Sequence, residues 1–385
     1  MHRQNYFIFA AALAAAWGIC SAAADPNESL VYFGTYTNAK APRDSKGIYV
    51  ARFRSDTGDV TDPVLAAETD NPSFLVVDPT RRFLYSTNET SADSGVSAFS
   101  INRTTGKLTL LNRASSGGKG PCHVAVDKTG KFLMVANFTS STATVIRLKA
   151  DGSLGEQAAV IQQTGTSVNK QWQSEPHAHW VGFSPDNHFA LVVNLGNDQL
   201  FVYRFNEATG ALTPGNPASV KLNAGDGPRN LTFHPTGKFA YLLSQLSGAL
   251  NVYQWNTNSG LLTKVQETNV WPRPKSDAED FNAAEVVVEP TGKFLYASNR
   301  GSDTVAVFLV DPAKGTLTLI QQESSRGLSP RHISLDPTAS FLMVSNEYSD
   351  AVTMLAIDKA TGRLRRVRKY VRLNEPVCAQ FVMLD

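Results

Sequence analysis

Residues Gly227 to Val265 read GPRNLTFHPTGKFAYLLSQLSGALNVYQWNTNSGLLTKV. The stretch divides into four short strands, Asn230–Phe233, Phe239–Ser244, Ala249–Trp255 and Leu261–Val265. In each, apolar residues alternate or run together over about five positions, and turn formers separate them. His234-Pro235-Thr236-Gly237-Lys238 is a tight turn, with Pro presetting φ and Gly able to take a positive φ. One such meander cannot bury both of its faces, so it predicts neighbours built the same way.

The neighbours are present. Aligned on the turn after the first strand, six copies start at Asp78, Asp127, Ser184, His234, Glu289 and Asp336, with separations by subtraction of 49, 57, 50, 55 and 47. A four-stranded repeat near fifty residues predicts a β-propeller. Leu30–Thr35, Gly47–Phe53 and Val60–Ala66 read as the last three strands of a further unit, and Pro376–Leu384 as its missing first strand. Joined, they make a seventh blade that closes the ring and removes the unpaired edges an open array would leave. The expectation is an all-β chain: one seven-bladed propeller of four-stranded antiparallel blades over residues 25–385, with no linker.

The first 24 residues differ. His2 and Arg3 precede an apolar run, Tyr6–Cys20, that ends in Ser21-Ala22-Ala23-Ala24. That order describes a signal peptide cut near Ala24, and so a soluble exported protein, periplasmic or secreted. About fifteen apolar residues are too few to span a bilayer, and no later stretch could. The chain has 385 residues, is 42% hydrophobic and carries a net charge of +2, which gives no whole-chain case for nucleic acid or an anionic membrane. Two cysteines remain beyond Cys20, Cys122 and Cys378, too few for a disulfide scaffold; one bridge between them is left open. A closed ring gives no reason to expect assembly, so a monomer is expected.

In a propeller the start of each first strand and the loop after each second strand lie on one face, beside the channel. First-strand starts contribute Ser73, Cys122, His123, His179, Arg229, Asn230, Glu285, Arg331 and His332; the loops contribute Glu89, Gln245, Arg300 and Glu347 together with several Asn. A mouth rich in His, Arg and carboxylate suits an anionic, oxygen-rich small molecule. The Asn residues at 137, 194, 299 and 346 read better as turn caps than as ligands. Arg331 stands open between a binding role and an ion pair with Glu285 or Glu347. His177 and His179 fall on one side of an extended strand, but no Asp, Glu or Cys at matching spacing completes a metal site, so acid–base use of one histidine is expected and no metal. Two insertions, GTSVNKQWQSEPHAHW and WPRPKSDAEDFNAAE, precede first strands at this functional end. The cationic run Arg363–Arg372 falls on an outer strand, as a solvated edge that discourages strand pairing.

At VYFGTYT, GIYVARF, GPCHVAVDKTGKFLMVANF, PHAHWVGFSPD, the opening stretch, AAEVVVEPTGKFLYASNRGSDTVAVF, SPRHISLDPTASFLMVSNEYSDAVTM and the closing PVC, the chain resembles the lactonase family of seven-bladed propellers. Bacterial 6-phosphogluconolactonases typify it, and carboxy-cis,cis-muconate cyclase is a fungal relative. The resemblance covers the mature chain. It implies a catalytic histidine at His179, arginines at Arg229 and Arg300, an acidic partner at Glu285, a lactone or sugar-acid ligand and no cofactor. The remaining mouth residues, His177, His123, Gln245, Arg331, His332 and Glu347, are then candidates to bind substrate. One departure stands out: the family often has Asn-Glu-Leu where this chain has Ser244-Gln245-Leu246. Gln cannot take up a proton as carboxylate does, so Glu285 or His179 must supply the base, or the activity is lost. The resemblance thus leaves a lactone hydrolase, a non-catalytic exported binding propeller or envelope scaffold, and a lactone-forming cycloisomerase as readings.

Overall fold

An acidic or polar side chain opens each hairpin between the first and second strands, and its hydrogen bonds explain the recurring turn. The Asp78 carboxylate accepts the amides of Thr80 at 2.9 Å, Arg82 at 2.8 Å and Phe83 at 2.7 Å. Asp127 and Asp336 do the same in their own hairpins. The left-handed position of the turn falls on glycine in three copies but on Arg81, Asn187 and Ala339 in the others.

The computed structural model describes residues 25, 27–38, 44–90, 94–271 and 282–384; the expected signal peptide lies outside the described residues, as does most of the second insertion. Seven sheets are present. The Gly227 to Val265 stretch lies in blade four: Pro228–Phe233, Phe239–Ser244, Ala249–Trp255 and Leu262–Asn269, in that order from the channel outward. Blade one starts at Leu75, blade two at Pro121, blade three at Ala178, blade five at Ala283 and blade six at Pro330. Blade seven joins the chain's two ends: Pro376–Met383 pairs antiparallel with Glu28–Thr35, Leu30 opposite Val382 and Phe33 opposite Ala379. Its outer strand, expected as one piece, is split into Asp59–Val60 and Val64–Glu68 around Pro63, which has no N–H to give the ladder.

Both faces of every blade are covered by the blades beside it. Each hydrophobic cluster therefore draws on two blades, as Phe239, Tyr241 and Leu243 do with Val286, Leu295 and Phe308. Second strands are buried end to end, whereas outer strands such as Leu262–Asn269 and the arginine-rich Leu364–Arg372 are largely exposed. The last run is the solvated edge expected of it. Among the described residues the lone helical element is a 3-10 turn, Glu347–Ser349.

Neighbouring blades are keyed together by the second recurring turn. Gly210, at φ +80°, lies where an added Cβ would come within 2.5 Å of Phe132 and 2.7 Å of Ala158. Glycines 58, 152, 260, 315 and 362 meet the ring of Phe341, Phe83, Phe189, Phe239 and Phe294 in the same way. In four interfaces the carbonyl of this glycine also accepts a buried tyrosine, as Tyr241 Oη does to Gly315 at 3.1 Å and Tyr85 to Gly152 at 3.0 Å. Gly210→Ala combines a left-handed backbone with overpacking, so it should cost about 2–4 kcal/mol. Gly130→Ala, where the nearest atom is 3.6 Å away, should cost only about 1–2 kcal/mol. Urea unfolding of the two variants measures the difference.

Candidate active site

Two rings of side chains surround the channel, and each has a backbone cause. The inner ring comes from a β-bulge near the start of the first strand. In blade four Pro228 pairs with Ser244 and Asn230 with Leu243, leaving Arg229 opposite nothing. The same slip frees Cys122 in blade two, His179 in blade three, Arg331 in blade six and Val377 in blade seven. In blade five it frees Ala284 and Glu285. A bulge turns its extra residue out of the ladder and re-aims the side chain. All of these but Ala284, with Ser73 of blade one, line one cavity of about 10 Å³, room for a single water; Phe74, His123, Asn230 and His332 complete the wall.

The outer ring is the residue just past each second strand. Its amide bonds back to the connection entering its own blade: Glu89 to Asn71, Phe138 to Gly120, Leu195 to His177, Gln245 to Gly227, Arg300 to Asn282, Glu347 to Ser329 and Tyr36 to Glu375. The asparagines that end five of these second strands tie the same connections, as Asn137 Nδ2 does to the Ser116 carbonyl at 2.8 Å and Asn194 Nδ2 to Gln163 at 2.7 Å. They are structural, as the sequence suggested for Asn137, Asn194, Asn299 and Asn346.

Nine of the sequence-selected residues, Ser73, Cys122, His123, His179, Arg229, Asn230, Glu285, Arg331 and His332, line the cavity, and Glu89, Gln245, Arg300 and Glu347 stand in the outer ring. His177 belongs to neither ring. It precedes the strand, which begins at Ala178, and its ring stacks on Phe138 at 4.2 Å and 4°. The bulge at His179 removes the two-residue alternation that had placed both imidazoles alike. The first insertion positions blade four from behind: the Asp198 carboxylate accepts Ser167 and Gln173 of the insertion and the amides of Gly225 and Gly227 just ahead of Arg229.

Tyr36, Phe138 and Leu195 were missed by the sequence reading. Extending the repeat one residue past every second strand, including the one in the split blade, finds all three. Cys122 and Cys378 are free and buried in different surroundings. The Cys122 Sγ lies 3.4 Å from the His179 carbonyl, while Cys378 Sγ accepts the Leu75 amide.

Burial sets the protonation states. It pushes the Glu285 carboxyl up to about 8, against the pull of Arg229 and an Asn230 Nδ2 hydrogen bond of 2.7 Å. Burial and the neighbouring guanidiniums of Arg229, Arg331 and Arg300 hold His179 well below the usual histidine range, so it is neutral. His332 falls to about 3 for similar reasons, and His123 is also held neutral. Arg229 donates Nε–H to the Ala284 carbonyl at 3.0 Å and an Nη1 proton to His179 Nε2, with Gln245 Oε1 at 3.4 Å. Burial and Arg331 bring its pKa down to about 10. Burial and Arg229 likewise lower Arg300, which bonds to the Asn282 carbonyl at 3.1 Å and to its side-chain oxygen at 2.5 Å. Neither arginine has an ion-pair partner among the described residues, whereas Arg331 lies 4.0 Å from Glu89. The carboxylate nearest Arg331 is thus one of blade one, Glu89, with the charge of Glu347 also acting on it.

A site of this kind can bind negative charge between Arg229 and Arg300 and exchange a proton at Glu285 near neutral pH. No helix among the described residues is long and apolar enough to cross a membrane.

The sequence profile of the lactonase, seven-bladed β-propeller family matches residues 30–381. A 6-phosphogluconolactonase of Bacillus subtilis is 33% identical over 300 residues, covering 78% of this chain and 83% of its own. A 6-phosphogluconolactonase of Formosa agariphila is 30% identical over 79% of this chain and 85% of its own. Among solved structures, the periplasmic gluconolactonase of Pseudomonas aeruginosa superposes with a TM-score of 0.86 at 29% identity, covering 92% of this chain and 99% of that one. The chain belongs to the lactonase family of seven-bladed β-propellers.

Proposed function

We propose that the protein hydrolyses the lactone of a sugar acid by water attack at the ring carbonyl, without a metal. One observation carries the reading: two arginines with no ion-pair partner among the described residues, Arg229 buried and Arg300 half-buried, stand at the channel mouth with a carboxyl group whose pKa is pushed up to about 8. Ionised Glu285 takes a proton from the attacking water. Arg229 and Arg300 stabilise the oxyanion that forms at the carbonyl, and then the product carboxylate. When the tetrahedral intermediate collapses, the ring C–O bond breaks and the proton held on Glu285 passes to the departing alkoxide. His179, neutral and hydrogen-bonded to Arg229, orients that guanidinium and can share the proton transfer. His123, His332 and Gln245 are assigned to substrate recognition, Gln245 through its contact with Arg229. His177 is left out of the site.

The basic start and apolar run before Asp25 support export, as does the periplasmic name of the Pseudomonas aeruginosa relative. An exported enzyme meets unphosphorylated lactones more readily than phosphorylated ones, and a neutral lactone still generates the oxyanion and carboxylate that the arginines suit. The test is a pH-stat assay of the mature chain on a panel of aldonolactones and their phosphorylated forms, with spontaneous opening subtracted. Opening of at least one sugar-acid lactone well above background is expected. Absence of catalysed opening for every lactone, together with stabilisation by sugar acids, would instead favour the binding-propeller reading.

A further inference from the structure

The inner and outer rings meet in one further polar assembly. Tyr36 enters from the terminal strand of blade seven, Arg331 from the bulge of blade six and Glu89 from the loop of blade one. The Tyr36 hydroxyl accepts Arg331 Nη2 at 2.5 Å and donates to Glu89 Oε2 at 3.1 Å. The guanidinium carbon of Arg331 also lies 5.1 Å from the centre of the Tyr36 ring. Glu89 and the buried Glu347 supply the opposing charge. Tyr36 is itself fixed: its amide bonds to the Glu375 carbonyl at 3.1 Å, and the next residue, Thr37, donates to Asn71 Oδ1 at 2.7 Å.

Three arginines stand in the two rings, Arg229 and Arg331 in the inner and Arg300 in the outer, and they are not equivalent. Arg331 is stacked, hydrogen-bonded and paired with carboxylate, while Arg229 and Arg300 have no carboxylate ion pair among the described residues. The difference traces to Tyr36, whose single hydroxyl bridges the guanidinium and the carboxylate. We propose that Tyr36 is a positioning residue of the lactone site, holding Arg331 against Glu89 so that Arg229 and Arg300 alone bind substrate charge and Glu285 is kept at a set distance from the third cation. The inference rests on the hydrolase reading for its effect on catalysis, but its effect on Glu285 can be measured without substrate. It also gives ring closure a chemical role, since the terminal strand that completes the fold carries the residue that completes the site.

The charged and titratable groups that act on Glu285 are Arg229 of blade four, Arg331 of blade six and the Cys378 thiol of blade seven, with Asn230 as its hydrogen-bond donor. Tyr36→Phe removes the hydroxyl and keeps the ring. Arg331 then loses its tether and its relay to Glu89, and its charge acts more strongly on Glu285. An opposite charge brought within a few ångströms lowers a carboxyl pKa by about 1–3 units. The Glu285 midpoint is therefore expected to fall by at least about one unit.

The experiment follows unfolding stability from pH 4 to 9 in each background with and without Glu285→Gln, so that the difference isolates that carboxyl. The backgrounds are wild type, Tyr36→Phe, Arg331→Met and the double variant, with Glu89→Gln as a second perturbation of the tether. A lower Glu285 midpoint is expected in Tyr36→Phe and in Glu89→Gln, and a higher one in Arg331→Met. The Tyr36→Phe shift should vanish once Arg331 is gone. On a lactone that the wild type opens, Tyr36→Phe should raise KM tenfold or more and move the pH profile with the midpoint. A merely structural tyrosine would lower stability and leave the midpoint in place, and that result, or a shift that persists without Arg331, overturns the proposal. A wild type that opens no lactone overturns the hydrolase reading instead, with the midpoint comparison still deciding the role of Tyr36.

Discussion

Arg229→Met is expected to reduce kcat/KM for lactone opening by about 10²–10³, the usual loss when one donor to a developing oxyanion is removed. Arg229 reaches the site because a bulge turns it out of its strand, and it holds three partners at once: the Ala284 carbonyl, His179 and Gln245. Methionine fills a similar volume and cannot donate. The fold should persist, because the lost hydrogen bonds are offset by removal of a buried cation that burial and Arg331 already disfavour. A stability change within about 2 kcal/mol, read by urea unfolding, separates lost chemistry from lost structure. Arg331→Met offers the contrast, since its charge already has a partner in Glu89. Full activity in Arg229→Met would remove the oxyanion assignment altogether.

Glu285→Gln is expected to lower kcat/KM by about 10²–10⁴, the range for losing a positioned general base, and to abolish the rise of activity toward alkaline pH. In the wild type kcat/KM should climb with the ionised form of Glu285 and level off above about pH 8. The same substitution has an opposite, stabilising effect. Burial raises the folded carboxyl from 4.5 to about 8, so the folded protein keeps a proton that the unfolded chain has already released. Stability supplied by the protonated group is complete below pH 4.5 and is lost as pH rises to about 8. Glutamine cannot ionise, so the variant should gain on the wild type by about 1.4 kcal/mol per pH unit across that window. Parallel stability curves for the two proteins from pH 5 to 8 would show that Glu285 is not held protonated by the fold. A variant more stable and less active is what a site built at the expense of stability should give.

The recurring turns made most of the architecture readable. Asp78, Asp127 and Asp336 cap their own hairpins, and the cap needs only neighbours within five residues, so the spacing alone revealed the repeat. Strand positions Phe239–Ser244 and Ala249–Trp255 follow from local apolar runs and match the structure to the residue. The break at Pro63 was also latent in the sequence, in a residue that cannot donate to a ladder. The residue types gathered at the channel mouth were legible, but the strand alternation that placed His177 beside His179 was not, nor was the place of Tyr36 in the outer ring.

What the sequence by itself determined is the ring: seven repeats, closed by the two ends of the chain, with histidines, arginines and carboxylates gathered at one face. These rest on local periodicity and turn chemistry, which act between near neighbours. What only the tertiary structure decided is which of those groups carry charge and which face each other. Bulges at Arg229, His179, Glu285 and Arg331 depend on pairing with a second strand, and a slip of one residue turns each side chain from ladder to channel. The neutral state of His179, the proton on Glu285 and the pairing of Arg331 through Tyr36 arise from burial and from residues up to 295 positions apart. Desolvation and Coulomb energy depend on distance in space, and that distance exists only once the ring has closed.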